Sequence, residues 1–338
     1  MQGHLAVAGP SGGSRVWRFV RELGAVAFLV VLCTGLAIGV PGFRGIGNIL
    51  NVLVQISSIA IGAAGMTFVI IAGGIDLSVG SVLALSGCAG TVVGLKLAQA
   101  GPEWLTAWGL NVPIGFAVGV AVGAVCGLAN GLMITKIPLP PFIATLGLMG
   151  LARGLAYYVA DSRPVEVVWG MRQIARARVL GVPFPIIVLV AVYALAWIVL
   201  RYTRVGRYSF AIGGNQEAAR LSGVSVDLYK IIVYAATGAL TAISGLIVAG
   251  RLAWMQPQEG DGFELDVIAA VVIGGTSLSG GEGSIVGTLL GALIMGTVRN
   301  GLDLKAVDYN LQKVVIGAII ILAVSVDVLA KRLGRRTT

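Results

Sequence analysis

The sequence predicts an all-α integral membrane protein of about ten transmembrane helices, some broken or partial, with both termini cytoplasmic. Composition gives the first two reasons: of 338 residues 57% are hydrophobic and only 12% charged, and the mean hydropathy is +0.93. Soluble domains carry about 25% charged residues, so a soluble fold of this length lacks the charge to cover its surface. Lipid must cover much of it instead. The third reason is arrangement, because the apolar residues gather into runs near the ~20 residues that cross a bilayer. The 50 glycines agree, since glycine lets membrane helices approach closely. Dense apolar runs also exclude a disordered chain.

The first run, 23–40, follows Arg15, Arg18 and Arg21. No A-x-A-like cleavage pattern follows it, so it reads as a retained span. Residues 49–95 form one apolar stretch interrupted at Ala72-Gly73-Gly74-Ile75-Asp76, too long for one span and therefore two. Further spans are expected at 112–134, 138–160, 183–200, 231–250, 284–300 and 314–330, with 265–280 shorter and partial. Pro138, Pro140 and Pro141 fit the first turn of their helix. The chain thus divides into an N-terminal arm, 1–22, a transmembrane domain, 23–330, and a tail, 331–338.

Lys and Arg in short loops mark the cytoplasmic side. The arm, the tail (Lys331, Arg332, Arg335, Arg336) and the 201–230 loop (Arg201, Arg204, Arg207, Arg220, Lys230) all fall on one side of a ten-span chain. Arg163, Arg172, Arg176 and Arg178 of the 161–182 loop fall on the other. Either charge near the first span sets the orientation, or the span count is off by one between 135 and 183.

The net charge of +9 comes without a basic stripe carrying interleaved aromatics, so no nucleic-acid partner is expected. Cys33, Cys88 and Cys126 sit inside apolar runs as small hydrophobes, and His4 is the only histidine, so no metal site is expected. The chain has no G-x-x-x-x-G-K-[ST], H-E-x-x-H or G-x-S-x-G pattern. It is therefore read as a non-enzyme with no catalytic residues and no bound cofactor; if ATP drives it, another subunit binds the nucleotide.

One pattern occurs twice. Gly73-Gly74-Ile75-Asp76-Leu77-Ser78-Val79-Gly80 and Gly274-Gly275-Thr276-Ser277-Leu278-Ser279-Gly280-Gly281 both read G-G-x-x-L-S-x-G. Adjacent glycines weaken a helix, and the serine is expected to cap the helix that restarts. Such breaks line substrate routes in transporters, or they are tight turns between spans. Asp76 is an ionisable group among apolar residues, either functional or a hydrogen-bonding group at the break. Arg153 either faces a polar cavity or snorkels to the surface. Asn130 and Asn300 either bond polar groups of a cargo or join helices. With Ser78, these residues are the substrate-path candidates. Glycines at every fourth place, Gly115 to Gly131 and again Gly283, Gly287 and Gly291, form a groove for close helix packing. Between spans, Glu217-Ala218-Ala219-Arg220 followed by Gly223 reads as a short helix closed by glycine, either an ordinary surface helix or one that docks on a partner.

These residues resemble the ribose/xylose/galactoside-type permeases of ABC importers. The resemblance is carried by Gly65-Met-Thr-Phe-Val-Ile-Ile-Ala-Gly-Gly-Ile-Asp-Leu-Ser-Val-Gly-Ser81, Phe142-Ile-Ala-Thr-Leu-Gly147, Arg153-Gly154 and Gly206-Arg-Tyr208. It continues through Ala211–Gly223, Gln256-Pro257 and Glu264–Gly281, and so covers about 45 to 330. It implies a permease that moves a monosaccharide or small polyol across the inner membrane, as a permease dimer with a cytoplasmic ATP-binding subunit and a periplasmic or extracellular sugar-binding protein. It also implies that Glu217, Ala218, Ala219, Arg220 and Gly223 dock on the ATPase. In an alternating-access cycle Asp76, Arg153 and the hinge-like breaks at Gly73-Gly74 and Gly274-Gly275 are expected to line or gate the route. Permeases for nucleosides or branched-chain amino acids are the nearest competing reading. An ion-coupled carrier would need deep acidic groups, for which Asp76 is the one fair candidate, and an intramembrane enzyme would need a nucleophile–base pair that is not visible.

Overall fold

The computed structural model describes residues 12–334, those of 12–23, 309, 323–324 and 326–334 by their backbone alone; His4, Arg335 and Arg336 lie outside the described residues. The chain runs α1 (Gly12–Gly39), α2 (Ile46–Ile71), α3 (Val79–Ala100), α4 (Glu103–Ala107), α5 (Asn111–Lys136) and α6 (Pro141–Val159). A short cap follows: β1 (Val165–Glu166), α7 (Trp169–Arg176), β2 (Arg178–Val179) and β3 (Val182–Pro183). Then come α8 (Phe184–Tyr202), α9 (Arg204–Gly214), α10 (Gln216–Leu221), α11 (Val226–Leu252), β4 (Trp254–Met255), α12 (Phe263–Ile273), α13 (Ile285–Leu304) and α14 (Tyr309–Gly334). Among the described residues seven helices are long and apolar enough to cross a membrane, namely α2, α3, α5, α6, α8, α11 and α13, and shorter apolar segments occupy 24–39 and 310–322.

The core forms around α2, which is buried without interruption from Ile56 to Ile71. It packs against α8, α11, α12 and α13. Its small residues Ala60, Gly62, Ala63, Ala64 and Gly65 explain the depth: a Cβ on Gly65 would stand 2.9 Å from the Thr237 backbone of α11. The α5 glycines work as the spacing predicts. Gly115, Gly119, Gly123, Gly127 and Gly131 are all buried, whereas Val125, Leu128 and Leu132 are exposed. The groove takes α3 at its Gly115–Gly119 end and α11 at its Gly127–Gly131 end, with backbone so close that a Cβ on Gly127 would meet Tyr234 O at 2.1 Å. Gly287 and Gly291 seat α13 on α12 in the same way.

The expected partial span 265–280 is corrected. The helix covers Phe263–Ile273 only, 11 residues, or about 16 Å at ~1.5 Å per residue against a core of ~30 Å. Residues 274–280 are loop because Gly274 and Gly275 end the helix; apolar composition continues past the point where backbone regularity stops. Upstream, β4 pairs antiparallel with β1, Met255 packs on Gly87, and Gly260 packs on Gly80. The chain after α11 thus folds back along α3 before α12 begins, giving a discontinuous crossing.

α11, 27 residues long and so about 40 Å at ~1.5 Å per residue, separates the two basic loops. Its first residue, Val226, packs with Ile212 of α9 and Ala219 of α10. Near its other end Gly250 packs on Met171 and Ala175 of α7. One helix, α6, lies between Pro140 and the 161–182 loop, so the basic residues there do not reflect a missed span. They are used locally: Arg172 donates to Val167 O and pairs with Glu166, and Arg176 donates to Arg251 O.

Candidate functional site

Both copies of the repeated pattern end a helix, and by the same device. Gly73 has φ +76°, its N–H donates to Ile70 O, and Gly74 N–H reaches Val69 O, both at 2.9 Å. Gly275 has φ +86°, its N–H donates to Val272 O at 2.8 Å, and Thr276 N–H reaches Val271 O at 3.2 Å. This Schellman closure needs left-handed backbone, which only glycine adopts without strain. The closing glycine is first of the pair in one copy and second in the other, so the loops that follow are out of register by one residue.

The serines do not cap as expected. Ser78 sits before α3 without a side-chain cap, because its hydroxyl donates to Asp76 Oδ1 at 2.6 Å. α13 is capped by Ser284, whose Oγ accepts Gly287 N–H at 3.2 Å, and not by Ser279.

Asp76 is buried, 2% exposed. A buried carboxylate is costly unless donors surround it. Its Oδ1 also accepts Ser78 N–H at 2.9 Å and Asn130 Nδ2 at 3.3 Å, and Asn130 Nδ2 lies 3.0 Å from Ser78 Oγ. Asp76, Ser78 and Asn130 therefore form one buried knot between the first break and α5. Tyr234 of α11 closes its side, donating to Ile75 O at 3.2 Å. Asn130 Oδ1 has no partner among the described residues.

The two breaks also meet. Gly281 N–H donates to Ile71 O at 2.9 Å, tying the second break to the end of α2. Gly213, near the end of α9, is pressed into that joint: a Cβ there would stand 1.8 Å from Ile71 O and 2.5 Å from Gly281 N. Beyond it, Asn215 Oδ1 accepts Ala218 N–H at 3.0 Å and starts α10. Gly223, at φ +81°, closes it through Gly223 N–H to Arg220 O and Val224 N–H to Ala219 O. Glu217, Ala218, Arg220, Leu221 and Gly223 are exposed, Leu221 by 88%, while Ala219 is turned into the core of the loop.

Residues 48–324 match the family described as "Branched-chain amino acid transport system / permease component". The chain belongs to that permease family. This permease is a multi-pass integral membrane protein. It is similar to the ribose import permease protein RbsC of Escherichia coli strain K12, 42% identical over 329 residues, which cover 95% of this chain and 97% of the relative. The protein of the same name in Bacillus subtilis strain 168 is 43% identical over 311 residues, 91% of this chain and 93% of the relative. The L-arabinose transport system permease protein AraH of E. coli strain K12 is 38% identical over 314 residues, 93% and 91% of the two chains. No solved structure matches the chain.

The remaining candidates of the permease lie apart from the Asp76 knot. Arg153 neither snorkels nor stands free; its Nη1 donates to Pro257 O at 2.6 Å and Glu259 O at 2.8 Å, clamping the segment that folds back before α12. Asn300 exchanges two amide bonds with Asn48, each 3.0 Å, and so joins α13 to α2. Sequence reasoning missed Gly213 and Tyr234. Gly213-Gly214 carried a signal, a glycine pair at a helix end like those of the two breaks. Tyr234 carried none, since any aromatic in a span looks the same.

Proposed function

We propose that this permease is the membrane subunit of an ATP-binding-cassette importer in the bacterial inner membrane, carrying a monosaccharide of the ribose kind. The observation that carries the reading is the similarity over nearly the whole of both chains to a ribose import permease, with an arabinose permease also similar over most of its length. Geometry supports the energy source. The chain has no phosphate loop, and it presents an exposed short helix, α10, on a loop packed against the glycine breaks. A cytoplasmic ATP-binding subunit docks on Glu217, Ala218, Arg220, Leu221 and Gly223, which puts both termini and this loop in the cytoplasm. A binding protein outside the membrane delivers the sugar to the opposite end.

Two copies of the permease form the route, sealed from lipid by their outer helices. ATP binding draws the α10 loops together, and the breaks at Gly73-Gly74 and Gly274-Gly275 act as hinges. The knot of Asp76, Ser78 and Asn130 sets the shape of the first hinge. Arg153 sets the fold-back segment, whose Gln256, Gln258 and Glu259 supply polar groups, and Asn300 holds α13 beside α2. A second reading, import of a branched-chain amino acid, is favoured by the family's own description. Ligand binding to the binding protein that supports uptake through this permease separates the two: a pentose or hexose bound at micromolar concentration supports the first, and leucine or valine bound in its place supports the second.

A further inference from the structure

The reading above has α10 receive the stroke of the ATPase, and the glycines just before α10, Gly213 and Gly214, are the ones that pack on the glycine breaks. Gly213 lies eight residues before the end of α10 at Leu221. Three segments distant in sequence come together there through backbone alone. The carbonyl of Ile71 ends α2, the N–H of Gly281 belongs to the second break, and the two are hydrogen-bonded at 2.9 Å. Gly213 lies on both, with no room for a Cβ. Gly280 and Gly281, at φ +80° and +73°, pack in turn on Gly73, Gly213 and Gly214; a Cβ on Gly280 would stand 3.0 Å from Gly73 Cα.

We infer that Gly213 is the coupling residue of the permease, a backbone joint that makes the α9–α10 loop and both helix breaks move as one body. Backbone-to-backbone contact suits this role. Flexible side chains absorb a displacement by changing rotamer, whereas packed main chain with left-handed glycines on the facing loop cannot, so a small shift of α9 passes on undiminished. The joint also explains why one pattern is used twice: each copy ends its helix in a loop of glycines flat enough to meet the other. Both breaks then receive the same stroke at once, which hinges driven separately would not guarantee. A contact of this sort is a positioning element; it touches no cargo.

The inference rests on the proposed docking of α10, and two measurements separate them. In the full importer, with its ATP-binding subunit and binding protein in lipid nanodiscs, hydrogen exchange is followed with and without ATP and vanadate. Joint movement predicts that protection in 211–223, 72–80 and 274–282 changes together. A change in 211–223 alone, or with only one break, overturns the inference while leaving docking intact; no change in 211–223 removes docking itself. In proteoliposomes Gly213→Ala is expected to keep ATP hydrolysis but lose sugar moved per ATP by about 5- to 150-fold, the span of ordinary coupling energies. Gly147→Ala, where a Cβ meets nothing within 4 Å, serves as the control. Unaltered sugar per ATP in Gly213→Ala overturns the inference, and if that variant fails to assemble, the wild-type exchange experiment still decides.

Discussion

Asn130 Nδ2 on α5 lies 3.3 Å from Asp76 Oδ1 and binds it to the first helix break across 54 residues of sequence. The bond sets a buried amide against a buried carboxylate, and its partner Ser78 leans on both. The knot is asymmetric, for Asn130 spends its donors and its Oδ1 has no partner among the described residues. An orphan acceptor costs about 1–3 kcal/mol, so the asparagine is tolerated for what its nitrogen does.

Substitutions at Asn130 should therefore separate by charge. Asn130→Ala removes two bonds together with the orphan oxygen, with a net loss of about 1 kcal/mol. Asn130→Asp brings a second carboxyl to Asp76, with a loss of about 3–5 kcal/mol, as for an uncompensated buried charge. Thermal unfolding of the purified permease in detergent should show the larger fall for Asn130→Asp; equal falls would remove the electrostatic account.

Arg153 is expected to act on the segment that folds back between β4 and α12. Hydrogen bonds from a charged donor contribute about 1.5–3 kcal/mol, and Arg153→Met removes two. Backbone amides of 256–262 should then exchange faster, while those of α6 around residue 153 keep their protection. Unchanged exchange in 256–262 would show that packing of Gly260 on Gly80 suffices without the clamp.

The α5 groove yields a paired comparison. Gly127→Ala forces a Cβ to within 2.1 Å of Tyr234 O, an overpacking that costs about 1–3 kcal/mol. Gly147→Ala on α6 meets open space and gains up to about 1 kcal/mol of helix propensity. Melting temperatures should move in opposite directions.

On α10, position decides the outcome. Leu221→Asp alters a side chain that is 88% exposed, so the permease should fold normally yet retain its ATP-binding subunit about tenfold less well, which is ~1.4 kcal/mol. Ala219→Leu overfills the pocket beside Ile212 and Val226 and should lower stability instead. Replacing Glu217 and Gly223 should uncouple ATP hydrolysis from uptake, and normal coupling in those variants would argue against docking at α10.

Much of this was legible in the sequence, and the exceptions have physical causes. Runs such as 183–200 read as spans because composition alone decides whether a helix suits lipid. The four-residue glycine spacing of α5 read as a groove because helical period fixes which residues share a face. The end of α12 was misplaced since hydropathy does not register the left-handed glycine that stops it. Ser78 and Ser279 were misread as caps because local pattern cannot reveal that a carboxylate two residues back takes the hydroxyl, or that the next helix starts later. The knot needed Asn130 and Tyr234, and the joint needed Gly213; each is a long-range coincidence of segments whose one-dimensional signals are ordinary.

The central claim is that ATP hydrolysed by a partner subunit drives sugar through this permease. Uptake of labelled ribose and arabinose is measured in cells expressing the permease with an ATP-binding subunit and a binding protein that support uptake, under a protonophore with ATP held high and again with ATP depleted. The account predicts uptake that survives the protonophore and stops without ATP. Uptake that collapses with the protonophore while ATP stays high would contradict it.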